Sequence, residues 1–364
     1  MEIVEVNTRA LLKKFLNFPR TLYFDILKSD KFIMPLELVS KITIGSLKAK
    51  KKKLFLAIEN GEILGRIAYK VHSNQGETKL NIGFFECVPD REDVANKLFT
   101  HVHAQQPHLD VIGPYNFRME DPYMGVLIKG HDHDPYFMMG YNPLYYKDYF
   151  ESAGFTGSMD VLTYDVDSTK PLPQEMRDRA DQTQAAGFSL RTMNKRKMKQ
   201  EVKVIAKIFN DALSENWGFE ELIDEQISEM YLMFKFFINP ELVLFATKDG
   251  EDVGCLILLP NFNPYIEKSN GKLTPSLLWN ILTKKNKIDS ARGYALGIKK
   301  DFHGQGLGNF LVCKGWELGS GKAGIKKGEV SWILSDNEGM NHLTLKMDGK
   351  PNKAYRIYTK AAIQ

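Results

Sequence analysis

Cysteine is scarce: the chain of 364 residues has three, Cys87, Cys255 and Cys313. An odd number of widely separated thiols in apolar surroundings supports neither a disulfide framework nor a cysteine-based zinc site, and no metal is expected. A reducing, cytoplasmic setting is expected instead. No run of about 18 or more uncharged apolar residues occurs, so no segment is expected to span a membrane and no membrane partner is expected. The opening residues, MEIVEVNTRALLKKFLNF, put acids where a secretory leader would need positive charge. An excess of one charge is also missing, since 49 Lys+Arg against 45 Asp+Glu leave a net +4, too little to imply nucleic acid as a partner. Lysine clusters at Lys48–Lys53, Lys195–Lys199 and Lys284–Lys287 have no interleaved aromatic rings for base stacking and read as solvated faces.

What is present is a globular composition, 43% hydrophobic and 26% charged, at a length that suggests two domains. The sequence also resembles itself. AIENGEILG (Ala57 to Gly65) and ATKDGEDVG (Ala246 to Gly254) share Ala, Gly, Glu and Gly at identical spacing, 189 residues apart. Each is flanked by apolar β-rich runs around an Asn-Gly or Asp-Gly turn, the pattern of a β-hairpin. Both halves then show a β-like run ending in Asn (Asn116, Asn337), a helical stretch, and a Gly followed by a Tyr-bearing strand. Between them, DVDSTKPLPQEMRDRADQTQAAG is polar and proline-bearing and reads as a linker with a short helix. The expected organisation is a first domain over 1–165, a linker over 166–185 and a second domain over 186–364. Hairpins mixed with crossover helices predict an α/β (α+β) fold in which each domain is a mixed, mostly antiparallel sheet with helices on both faces.

The passage that carries chemistry is YALGIKKDFHGQGLGNFLVCKGWELG, where an apolar strand runs through Gly304, Gly306 and Gly308 into an amphipathic helix. Glycines there allow a sharp turn with successive N–H groups exposed, and the helix N-terminus adds partial positive charge, an arrangement suited to a diphosphate. A Walker A loop would end in Gly-Lys-Ser/Thr, and this one ends in Gly-Asn-Phe. A dinucleotide-binding turn would read G-x-G-x-x-G, with an acid at the far end of the next strand. Here the glycines read G-x-G-x-G, and Glu329, 21 residues after Gly308, stands at the start of its strand.

His303-Gly304-Gln305-Gly306-Leu307-Gly308 closely resembles the acyl-CoA loop, R/Q-x-x-G-x-G/A, of the GNAT superfamily of N-acetyltransferases. The order of hairpin, strand, loop, helix, strand ending near Asn, helix and Gly-turn in the second half resembles the family as well. The resemblance implies that a coenzyme A pyrophosphate rests on the amides of Gln305 to Gly308, with His303, Gly304 and Asn309 beside it. It further implies pantetheine along the strand near Ile298 and Asn337 close to the pantetheine end. The first half, with Asp90, Glu92 and Asp93 where glycines would stand, reads as a degenerate copy that no longer binds coenzyme A.

The departures concern catalysis. The usual loop-entrance Arg or Gln is His303, and the helix position of the family's acid Tyr falls on Thr344 or Leu345. A substitute acid is expected from Tyr355, Tyr358 or Tyr294, and a base from Glu329 or Asp336, with Tyr355 and Glu329 preferred. Asn216 and Trp217 are candidates for the acceptor wall. The expected activity is transfer of acetyl from acetyl-CoA to a small-molecule or peptide amine by direct attack in a ternary complex. Two other readings stand beside it: a non-catalytic acyl-CoA-binding or regulatory module, and an aminoacyl transferase using charged tRNA.

Overall fold

The computed structural model describes residues 1–34, 52–74, 76–117, 123–214, 221–284 and 287–363. Strand β1 (Glu2–Glu5) pairs antiparallel with β2 (Lys52–Glu59), and the chain turns back as β3 (Glu62–Asn74) and β4 (Glu77–Cys87). Asn60 and Gly61, at φ 51° and 85°, supply the consecutive left-handed residues that a two-residue hairpin turn requires. Alternation along these strands gives each face its own helix. Leu54, Leu56 and Ala68 pack with Phe15 of α1 (Arg9–Arg20). Phe55, Ala57, Ile67 and Tyr69 pack with Val94, Leu98 and Val102 of α2 (Glu92–His103). Strand β5 (Val111–Gly113) then pairs parallel with β4, and β6 (Val126–Lys129) and α3 (Tyr145–Ser152) follow.

After β7 (Thr156–Asp167), the stretch expected to be a linker forms α4 (Gln174–Ala185). Its buried side chains, Met176, Ala180 and Thr183, lie at i, i+4 and i+7, a stripe too narrow and too weakly apolar to stand out in a polar sequence. Next come β8 (Ser189–Thr192), α5 (Met198–Ala212), α6 (Asp224–Phe237), and the second hairpin, β9 (Val243–Lys248) and β10 (Glu251–Pro260). Its turn residues, Asp249 and Gly250, repeat the left-handed pair at φ 49° and 82°. Helix α7 (Pro275–Thr283) follows. The chain ends with β11 (Ser290–Ile298), α8 (Leu307–Glu317), β12 (Lys327–Leu334), α9 (Glu338–Lys346) and β13 (Lys350–Lys360).

The chain divides into two compact units, and the division does not follow the expected boundaries at 165 and 185. The first unit comprises Met1–Val161, Ile266–Leu273 and Lys353–Gln364; the second comprises Leu162–Tyr265 and Thr274–Asn352. Strand order in the first is β1-β2-β3-β4-β5-β13, and in the second β7-β12-β11-β10-β9-β8. In both, antiparallel hairpin strands lead to one parallel pair, β4 with β5 and β11 with β12. In the second unit, α8 and α4 pack over Leu244, Ala246, Val253 and Leu256. Helix α5 covers β10 and β11, with the Phe209 ring so close to Gly297 that a Cβ there would stand 2.4 Å from it. The sheets are mixed and mostly antiparallel with helices on both faces, as expected.

All three thiols are buried. Burial pushes Cys87 up to about 12 and Cys313 up to about 11, and raises Cys255 as well. The folded protein is therefore expected to resist a thiol-specific reagent at about pH 8 and to label at all three positions in denaturant. Rapid labelling of any one in the native state would contradict this packing.

Candidate functional site

Strands β11 and β12 are paired over four positions, from Ser290↔Lys327 to Gly293↔Val330. Against β10, Gly293 faces Leu258 and Ala295 faces Ile257, so Tyr294 is the extra residue of a β-bulge immediately beyond the last parallel pair. A bulge bends its strand and increases the local twist, which parts β11 from β12 at this point. From Ala295 to Ile298, β11 remains paired with β10 on one edge only. The opposite main-chain edge is left to whatever enters between the strands.

The chain passes from β11 through a single 3-10 turn, Lys300–Phe302, into the glycine loop and α8. Gly304 and Gly306 adopt φ 76° and 82°, and Gly306 is the N-cap of α8. The first intrahelical bond runs from Phe310 N–H to Gly306 C=O at 3.0 Å, so the N–H groups before it have no acceptor in their own helix. Gly306 is also fixed from outside, because a Cβ there would stand 2.7 Å from Thr183 Oγ1 of α4. His303 Nε2 lies 2.8 Å from Ile298 C=O; a carbonyl only accepts, so Nε2 carries the proton and the ring is tied back to the strand end.

These residues line a cleft of about 300 Å³. Ile298, Phe302, His303, Gly304, Gly306, Leu307, Gly308 and Asn309 form one side. Glu175, Met176 and Arg179 of α4 and His342, Leu343 and Lys346 of α9 form the others. Lys346 is paired with Glu175 at 3.0 Å. Arg179 and the start of α8 favour negative charge in the cleft, while the Lys346 charge is met by Glu175.

Most of the expected loop residues therefore come together, and the rest have other duties. Gln305 turns its amide to Asp301 C=O at 3.1 Å, and Asn309 donates to Met176 C=O at 2.6 Å. Asn337 caps α9 by accepting from Met340 N–H at 3.1 Å and is not part of the cleft wall. Thr344 is buried and donates to Met340 C=O at 2.8 Å, while Leu345 is exposed. Tyr355 belongs to the first unit, where its hydroxyl donates to Gly140 C=O at 3.0 Å and its ring lines a different cavity. The cause is the pairing of β13 with β6, which a local reading of the sequence cannot anticipate. Asn216 and Trp217 lie outside the described residues.

Glu329 sits on the last paired turn of the strands, opposite Arg292 in register, and is fully buried. Its Oε1 accepts from Ser331 Oγ at 3.1 Å and its Oε2 from Asn352 Nδ2 at 3.1 Å. Arg292, also fully buried, donates from Nε to Ser331 Oγ at 2.8 Å, with its guanidinium 4.5 Å from the Trp332 ring centroid. Sequence reading missed Arg292, although a lone arginine inside the strand SARGYALGI was a usable signal. It missed Arg179 and Lys346 for a different reason: their helices gave no sign of facing a glycine loop. Among the described residues, no group of three or more His, Cys, Asp or Glu is placed to hold a metal ion.

The first unit repeats the plan and fills it. Strands β4 and β5 pair at Leu80↔Val111 and Asn81↔Ile112; then Phe84 and Phe85 oppose the single residue Ile67, again a bulge. At the equivalent helix start, Asp93 and Glu59 both hold Arg91, at 2.8 and 3.0 Å, and the guanidinium keeps both carboxyls below their usual range. The Arg91 and Cys87 N–H groups donate to the hydroxyls of Tyr149 and Tyr146, each at 2.9 Å. Where β4 and β5 part, a cavity of only about 40 Å³ is lined by Tyr23, Arg66, Glu86, Asn116, Tyr123 and Tyr146. Both Tyr23 and Tyr146 donate to Glu86 Oε2, at 2.9 and 2.6 Å. Burial raises the Glu86 carboxyl against the pull of Arg66, and raises both phenols further with the help of the Glu86 charge.

Replacing Gly306 by Ala should lower stability by about 1–3 kcal/mol, from the left-handed backbone and the contact with Thr183. Gly308→Ala should be tolerated, since its Cβ would meet Ile298 Cδ1 at an ordinary 3.6 Å. Denaturant unfolding of the two variants checks the loop geometry, and equal losses would refute it.

No family model matches the chain. It is 30% identical over 383 residues to the bacterial ceramide synthase of Caulobacter vibrioides, covering 99% of this chain and 97% of that protein. Among solved structures, it is similar to a tandem GNAT protein from the clavulanic acid biosynthesis pathway, with TM-score 0.56 and 11% identity, covering 99% of each chain. It is also similar to the glucosamine N-acetyltransferase region of a fungal multi-domain β-N-acetylglucosaminidase, with TM-score 0.62 and 13% identity, covering 99% of this chain and 38% of that one. The two structures speak for the fold and the relative for the lineage: the chain has the fold of a tandem GNAT protein and belongs to the family of that bacterial ceramide synthase.

Proposed function

We propose that the chain transfers a fatty acyl group from an acyl-CoA to the amine of a long-chain amino alcohol, and that the second unit alone does so. The observation that carries the donor half is the open cleft at the start of α8, where the first-turn N–H groups have no acceptor in their own helix and Arg179 lines the wall. A diphosphate is the anion of matching size and charge. The β11 edge from Ala295 to Ile298 supplies main-chain groups for the amides of a pantetheine arm. The acceptor half is supported by the relative's name, since a ceramide is the amide of a long-chain amino alcohol with a fatty acid. Acetyl-CoA, expected from the loop motif alone, is kept as the competing donor in the test.

In this reading the neutral amine attacks the thioester carbonyl, the C–N bond forms, the C–S bond breaks, and one proton passes from nitrogen while the thiolate takes one up. Glu329, buried where the strands part and joined to Ser331, is assigned as the group that accepts the amine proton, with Arg292 positioning Ser331. The first unit binds no coenzyme A because its own Arg91, Asp93 and tyrosines take the places a diphosphate would need.

Thiol release should require both substrates, run faster with palmitoyl-CoA and sphinganine than with acetyl-CoA, and vanish in Gly308→Asp, whose carboxylate would stand in the cleft. Glu329→Gln should lower kcat by about 10²–10⁴-fold with little change in the KM for acyl-CoA. Acyl-CoA binding without release would reduce the protein to a binding module, and unchanged binding in Gly308→Asp would move the donor site elsewhere.

A further inference from the structure

Helix α7 is apolar on two sides at once. Leu277 and Ile281 are buried in the second unit, while Leu278, Trp279 and Leu282 are 37%, 65% and 63% exposed. At about 100° per residue these three fall on one continuous arc next to the buried one, facing away from the core. The helix, PSLLWNILT, contains no charged residue. Of the nine large hydrophobic residues exposed among the described residues, three lie on α7, one, Leu232, on α6, which packs against it, and one, Ile223, at the N-cap of α6. Helix α6 carries three acids, Asp224 and Glu225 in its first turn and Glu229 one turn before Leu232.

The flanking charge is of one sign. Between Glu267 and Asp289 the sequence carries five lysines, Lys268, Lys272, Lys284, Lys285 and Lys287, and no acid. In the second unit, Lys284 is the C-cap of α7 and Lys287 is exposed. An uncharged helix face bearing Trp and Leu with lysines at its end is the pattern of an element that lies in the plane of a bilayer surface. The indole and leucines enter the acyl boundary, the Trp N–H stays at headgroup level, and the lysines meet anionic lipid. A protein partner would have to supply both carboxylates for the lysines and an apolar groove for the helix, whereas an anionic bilayer supplies both over any area.

We propose that α7, with Lys284 and Lys287, docks the protein on the surface of an anionic lipid bilayer. The proposed contact goes beyond the expectation of no membrane partner and invokes no spanning segment; among the described residues no helix is long and apolar enough to cross a membrane. It deepens the proposed reaction, because a long-chain acceptor would reside in that bilayer, yet its test reads partitioning alone and is decided whatever the activity.

The experiment is pelleting of the full chain with sucrose-loaded vesicles of phosphatidylcholine, with and without about one-third phosphatidylglycerol. Wild type should partition onto the mixed vesicles and be released by salt. The double variant Trp279→Ser, Leu282→Ser should lose about tenfold or more. Lys284→Gln with Lys287→Gln should lose roughly fivefold per lysine, on the anionic vesicles only. Because all four side chains lie outside the core, thermal melts should match wild type. Brominated acyl chains should quench fluorescence in wild type and less in Trp279→Phe. Wild type remaining in the supernatant at low salt, or the serine variant pelleting like wild type, overturns the proposal. So does a dimer by light scattering that the serine variant converts to monomer, since the patch would then be covered by a second copy.

Discussion

A bulge placed directly after a short parallel pairing is the constraint on which the rest of the second unit depends. Tyr294 has no counterpart on β10, and the extra residue turns β11 away from β12 just past Gly293↔Val330. Had the parallel ladder continued, the strand edge would be saturated and no channel would lead to the start of α8. The parting also explains why a buried ionic and polar cluster sits at its root. Glu329 and Arg292 face each other one residue before the last parallel pair and Ser331 lies one residue beyond it, where side chains from both strands can meet. A buried charge needs partners: Glu329 accepts from Ser331 and Asn352, and Arg292 donates from Nε to Ser331.

The two units show what happens when one backbone plan carries two side-chain sets. Both have the glycine-turn hairpin, the bulge and the abbreviated parallel pair. In the second, glycine at the helix start leaves main-chain groups exposed to a cleft. In the first, the same location carries Arg91 clasped by Asp93 and Glu59, with tyrosine hydroxyls on the neighbouring amides, and Glu86 with its phenols occupies the parted strands. Nothing in the backbone forbids a ligand there; the side chains have supplied their own.

What the sequence made legible follows from the range of each interaction. Asn60-Gly61 and Asp249-Gly250 announce hairpins because their left-handed backbone is a local requirement. Gly304 and Gly306 announce the loop for the same reason, at φ 76° and 82°. The residues that escaped are those placed by distant pairing. Arg179 and Lys346 reach the cleft because α4 and α9 pack around α8, and α4 resembled a linker since Met176, Ala180 and Thr183 form so thin a stripe. Tyr355, expected as a substitute acid, stands elsewhere because its strand joins β6 and β5, a pairing set by residues more than 200 positions away. The exposed arc of α7 left its mark in the sequence as a charge-free nonapeptide between lysines, a composition that an insertion helix shares with many buried ones.

The return of β13 to the first unit bears on how the polypeptide matures. Tyr358, Thr359 and Lys360 complete the sheet beside β5, and Tyr358 lies in the same core as Phe99 and Phe150. During synthesis the first unit emerges early but lacks one of its strands until more than half of the chain has followed. Its β5 edge stays open over that interval, so the unit that appears first is finished last, and separating the halves at the genetic level would leave the first one without a piece of its own interior.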